Sequence, residues 1–122
     1  MTVIELPFPP STNRLWRPIP RPPYMVKTKT YAKWIRAADA LFMMQKRGCQ
    51  KIPGHFTATI HLDAARRRSN TDVDNRGKSC LDYLQHRAGL IVNDSLCDDA
   101  RCVWTEGVGK DLCRIELVPV GP

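Results

Sequence analysis

Seven of the ten prolines in this 122-residue chain fall between Pro7 and Pro23. That clustering forbids a helix there, because each proline removes a backbone N–H and fixes φ near the polyproline value. The segment also carries Arg14, Trp16, Arg17 and Arg21, and it reads as a stiff basic loop with an aromatic inside it. Ahead of it, residues 2–6 alternate weakly as a short strand. Behind it, Tyr31, Trp34, Ile35, Ala38, Leu41 and Phe42 recur at helical spacing, with Thr28 or Thr30 as N-cap and Gly48 as the stop.

The clearest strand is His55 to Asp63, where Phe56, Ala58, Ile60 and Leu62 alternate with Thr57, Thr59, His61 and Asp63. A polar connection bearing Arg66, Arg67 and Arg68 leads to a second helix, expected from Thr71 or Asp72 to near Gly89 and burying Val73, Cys80, Leu81 and Leu84. Two more strands, near Arg101–Glu106 and Leu112–Val118, read as an antiparallel hairpin across the Gly107-Val108-Gly109 turn. The order is β-α-β-α-β-β, with no repeat or linker. We therefore expect an α+β fold, a single domain over residues 1–122, with helices packed on one face of a mixed sheet.

Lysine and arginine number 19 against 12 acids, a formal charge of +7 that points to a polyanionic partner. The two signs are segregated. Residues 1–68 hold 13 basic and 3 acidic side chains, whereas residues 69–122 hold 6 and 9, with six aspartates between Asp72 and Asp99. A basic protein that concentrates carboxylates in one region has a place for a cation. The cysteines are five, without C-x-x-C spacing, and read as reduced thiols of a cytoplasmic protein. Apolar runs are too short to span a membrane, and residues 1–5 lack the basic and apolar regions of a signal peptide.

The chemistry concentrates in Thr71-Asp72-Val73-Asp74-Asn75-Arg76-Gly77-Lys78. Asp72 and Asp74 diverge on a regular helix but can converge at a loop-to-helix junction. Mg²⁺ takes oxygen ligands at ~2.0–2.1 Å and keeps several waters, so one or two carboxylates plus a substrate phosphate suffice. Lys78 follows Asp74 by one helical turn and can reach a phosphate oxygen or an attacking water. Asp94 is the candidate third carboxylate, and Asp99 of Asp98-Asp99-Ala100 is the alternative. A helix cap is the plain structural reading of Asp72 and Asp74. A calcium loop fails, since Arg76 and Tyr83 stand where its fifth and twelfth ligands belong.

These residues resemble the RusA-type Holliday junction resolvases, small homodimeric Mg²⁺-dependent endonucleases often carried by prophages. The resemblance rests on the opening Leu6-Pro7-Phe8-Pro9-Pro10-Ser11-Thr12-Asn13-Arg14, on Asp72, Asp74, Asn75 and Lys78 as D-x-D-N-x-x-K, on Asp82-Tyr83-Leu84, and on a later acidic pair before a strand. It implies Asp72, Asp74 and Asp94 as metal-binding carboxylates, Lys78 as the catalytic lysine, Mg²⁺ with Mn²⁺ as a substitute, and a homodimer acting on four-way DNA junctions in recombination or repair. The later pair departs from the pattern, reading Asn93-Asp94 in place of Asp-Asp.

Phosphate tracking falls to Arg14, Arg17, Arg21, Lys27, Lys29, Arg66, Arg67 and Arg68, with Asn75 and Arg76 inside the acidic motif joining them. Trp16 and Tyr24 either stack on exposed bases or anchor their loop. A zinc site built on Cys97 and Cys102 has poor spacing, and small core residues explain the cysteines more simply. The rival functions are a non-catalytic branched-DNA-binding module, in which the aspartates cap a helix, and a Mg²⁺-dependent nuclease of other substrate preference.

Overall fold

Alternation decides which strand lies at the centre of the sheet. Strand β4 (Phe56–Asp63) buries Phe56, Ala58, Ile60 and Leu62 on one face, and both of its edges are paired. On one side lies β5 (Cys97–Thr105), parallel to it; on the other lies β6 (Leu112–Pro119), antiparallel. β6 also pairs antiparallel with β1 (Thr2–Pro7), giving the order β1-β6-β4-β5. The computed structural model describes residues 1–11, 15–20, 23–67 and 76–121, and of residues 16–20 and 23–26 the backbone alone. The α+β class, the mixed sheet and the order β-α-β-α-β-β around it are as expected.

Two expectations are corrected. The proline-rich segment is in part a hairpin, with β2 (Trp16–Pro20) antiparallel to β3 (Pro23–Lys27) in a separate two-stranded sheet. Proline suits such a ribbon because both strands are edges, each with one side that needs no donor. The other correction concerns the last two strands, which flank β4 and do not pair with each other. Their connection is glycine-dependent, with φ at +80° for Gly107 and +112° for Gly109, but it crosses the end of β4. There the Asp63 carboxylate accepts the N–H of Gly109 at 2.7 Å and of Ala65 at 2.8 Å. One side chain thus ties the crossing loop to the strand it passes over.

Helix α1 (Lys29–Gln45) begins at Thr28, whose hydroxyl accepts the Tyr31 N–H at 3.1 Å. It buries Tyr31, Trp34, Ala38 and Phe42 and ends in a 3₁₀ turn over Lys46–Gly48. At its last turn the Gln45 amide bonds both the N–H and the C=O of Glu5 at 2.7 Å, covering backbone groups on the β1 edge. Helix α2 (Gly77–His86) buries Ser79, Cys80, Tyr83 and Leu84, while Leu81 is half-buried. Gly89 at φ +66° ends it, as expected, with the Leu90 N–H bonded to Leu84 O at 2.9 Å. Arg76 occupies the N-cap position; the start expected at Thr71 or Asp72, and Val73 with it, lie outside the described residues.

An aromatic seam joins the helices. Tyr83 meets Trp34 edge-on at 5.8 Å and Phe42 at 6.4 Å, and Trp34 donates its indole N–H to Pro7 O at 3.0 Å. All five cysteines are free thiols. The Cys113 thiol beside it and full burial hold Cys80 well above the ordinary thiol range, which keeps it un-ionised. No described helix is long and apolar enough to cross a membrane.

The two N–H groups on Asp63 hold its carboxyl below the usual carboxylate range. Its contribution to stability is therefore complete above about pH 4 and is lost as pH falls through the lowered value. Asp63→Ala is expected to lower the Tm by several degrees at neutral pH, with the gap from the native chain closing towards about pH 2. Thermal melts across that range check this; a gap independent of pH would contradict it.

Candidate active site

Lys78, Asp82 and Gln85 stand at the i, i+4 and i+7 positions of α2 and so share one stripe. The chain leaves α2 through Gly89 and the buried Leu90 and Ile91, then turns back at Asn93. The Asn93 carboxamide accepts the Ser95 N–H at 2.8 Å and starts a 3₁₀ turn over Asp94–Leu96. Gln85 accepts the Asp94 N–H at 3.1 Å, fixing that turn against the helix stripe. Lys78 Nζ then lies 3.0 Å from Asp82 Oδ1 and 3.4 Å from Asp94 Oδ2.

Two carboxylates against one ammonium leave this corner of a basic protein with an excess of negative charge. The hydrogen bond that the ammonium donates to Asp82, reinforced by Asp94, raises the Lys78 pKa further above neutrality. Asp82 is the more sheltered carboxylate, with 17% of its side chain exposed against 36% for Asp94. Helix and strand approach closely here: a Cβ on Gly77 would stand 3.2 Å from the Cys102 sulfur of β5.

Of the two candidate third carboxylates, Asp94 is the one beside Lys78. Asp99 lies on β5 opposite Thr57 and pairs with Arg101 at 2.9 Å, while its neighbour Asp98 pairs with His55 at 2.9 Å. Asp72, Asp74 and Asn75 lie outside the described residues, as do Arg14, Arg21 and Arg68. Among the described residues no three His, Cys, Asp or Glu side chains gather to hold a metal. A cation site at Asp94 therefore requires carboxylates from outside them, and the donor class present, carboxylate oxygen on a half-exposed surface, suits a hard divalent ion.

The described basic candidates divide by what they touch. Arg66 stacks its guanidinium 4.1 Å from the Phe8 ring centre and donates to Lys110 O at 3.2 Å. Arg76 lies 5.5 Å from the same ring and donates to Pro9 O at 3.0 Å, so it anchors the segment after β1. Lys27, Lys29 and Arg67 are exposed. Arg17 is a β2 residue opposite Val26.

Asp82 had no assigned role in the sequence, although its spacing of four from Lys78 on a helix was the available signal. Equally unread was the network that closes the seam between the helices. The Tyr83 hydroxyl donates to Asp39 Oδ1 at 2.8 Å, and the Arg87 guanidinium pairs with the same carboxylate. Arg87, then Tyr83, hold the Asp39 carboxyl below its ordinary range, and burial pushes the Tyr83 phenol up. Tyr83→Phe should cost about 1 kcal/mol by removing this bond without creating a cavity; urea unfolding at pH 7 measures it, and an unchanged midpoint would show the bond to be idle.

The sequence matches the family model described as Endodeoxyribonuclease RusA over residues 7–117. No curated protein gives a significant match to the chain.

Proposed function

The chain belongs to the RusA endodeoxyribonuclease family, and on that premise we propose that it is a Mg²⁺-dependent endonuclease that resolves four-way DNA junctions by paired phosphodiester hydrolysis. The observation that carries this reading is the meeting of Lys78 with Asp94, two residues 16 apart in sequence that the resemblance assigns to one acidic site. Asp72, Asp74 and Asp94 would hold the cation, with Mn²⁺ able to replace Mg²⁺. When bound, it supplies Lewis-acid polarisation of the scissile phosphoryl group and a lowered pKa for water.

The chain's own residues supply the rest. Lys78 is pinned between Asp82 and Asp94, so it would act as a fixed positive charge for the developing phosphorane oxygens. Asp82 limits the swing of that ammonium. Gln85 and Asn93 hold the turn that presents Asp94, so the carboxylate needs no reordering when substrate arrives. Exposed Lys27, Lys29 and Arg67, together with Arg14, Arg17, Arg21 and Arg68, track the backbone of a polyanion. Cutting opposed strands of a four-way junction calls for two equivalent sites, which a two-fold symmetric homodimer provides. The cellular setting of such an activity is DNA recombination or repair.

The test is incubation of the purified protein with a labelled four-way junction and a matched linear duplex, in Mg²⁺ or EDTA, beside Asp74→Asn and Lys78→Ala. We expect symmetric Mg²⁺-dependent nicks in the junction, none with Asp74→Asn, and a rate lowered about 10²-fold or more by Lys78→Ala. Junction binding without cleavage in any divalent metal would make the protein a binding module instead. Junction affinity should also fall steeply between low and physiological salt. A flat dependence in a gel-shift series would contradict electrostatic tracking.

A further inference from the structure

Beside the Lys78–Asp82 pair a cleft of about 230 Å³ opens between α1 and α2. The buried rings of Tyr31 and Tyr83, with half-buried Ile35, line its apolar part. Asp82 forms one wall, and the exposed Lys27, His86 and Arg87 complete the lining. Asp82 therefore belongs to two places at once: it holds the Lys78 ammonium at 3.0 Å and it faces the cleft. Asp82 thus links the cleft to the lysine proposed to meet the scissile phosphate.

Size and chemistry narrow the occupant. The volume is below the ~300 Å³ at which pockets begin to take drug-sized ligands, and is room for one ring system. Apolar ring edges, a carboxylate acceptor and flanking cations are what a nucleobase with phosphates on either side requires. A base paired within a duplex cannot reach such a cleft, whereas one at a branch point leaves the stack at least cost. Arg87 is held by Asp39, and the seam of Trp34, Tyr83 and Phe42 stiffens both walls, so the cleft is formed before any strand arrives.

We propose that the cleft between α1 and α2 is a subsite for one unstacked nucleobase of the DNA strand being cut, with the sugar-phosphate on its two sides passing Lys27 and Lys78. The proposal rests on the junction-cleaving reading and deepens it. In this arrangement the base is a handle: its insertion sets which phosphodiester meets Lys78, so strand register is fixed by one nucleotide next to the cut.

The experiment uses four-way junctions that each carry a single 2-aminopurine within a few nucleotides of the branch point, with saturating protein in Ca²⁺ to prevent cutting. Emission should rise several-fold at one position next to the cut site with the native chain. The rise should vanish with Ile35→Trp, which fills the cleft, and shrink with Lys27→Glu, a surface change that leaves the core untouched. Cleavage of the same junctions in Mg²⁺ is measured alongside. Cleavage with no emission change at any position, or with a rise that survives Ile35→Trp and Lys27→Glu, overturns the subsite alone. Absence of Mg²⁺-dependent cleavage overturns the junction-cleaving reading and the subsite with it.

Discussion

The parallel pairing of β4 with β5 is the constraint from which the candidate site follows. Parallel neighbours cannot be joined by a tight turn, so the chain must leave the end of β4, cross one face of the sheet and come back to its beginning. The crossing is made by α2, and the return by the short segment through Gly89 to the Asn93-capped turn. Helix and returning turn are thereby laid side by side. Lys78 on the first can meet Asp94 on the second only because β5 starts beside Phe56, where β4 begins.

Electrostatics divides the molecule in a way that suits a reaction on a polyanion. A net charge of +7 favours a polyanion as a whole, whereas at Lys78 two carboxylates flank one ammonium. Left unfilled, such a corner repels phosphate. Loaded with a divalent cation it attracts phosphate, so metal and substrate are expected to favour each other's binding. The two carboxylates raise the Lys78 pKa, and the cost of holding them together is reduced by the same contact.

Much of the fold was legible because local chemistry and global role agree. Thr28 ahead of an amphipathic run marks a helix start, the alternation of Phe56, Ala58, Ile60 and Leu62 marks a strand, and Gly89 marks a helix end. The partners of a strand are not local information. Cys97–Thr105 and Leu112–Pro119 look like a hairpin by spacing, yet β4 lies between them, and the Asp63 carboxylate that anchors the crossing loop is distant in sequence. The prolines were read by their missing donors, which excluded a helix but did not reveal that edge positions leave those donors unneeded. At the site, Lys78 and Asp94 were nameable from sequence while their approach was not, since it depends on tertiary packing. Asp82 does not stand out in the sequence, because an acidic residue one turn from a lysine is so common on helix surfaces.

The proposed divalent-cation site has Asp94, and not Asp99, joining Asp72 and Asp74. Calorimetric titration of Mn²⁺ into the native chain, Asp94→Asn and Asp99→Asn tests it without DNA. The account predicts binding that weakens by at least tenfold in Asp94→Asn and stays unchanged in Asp99→Asn. Binding retained by Asp94→Asn and lost in Asp99→Asn would contradict it, and would move the site from the α2 stripe to β5.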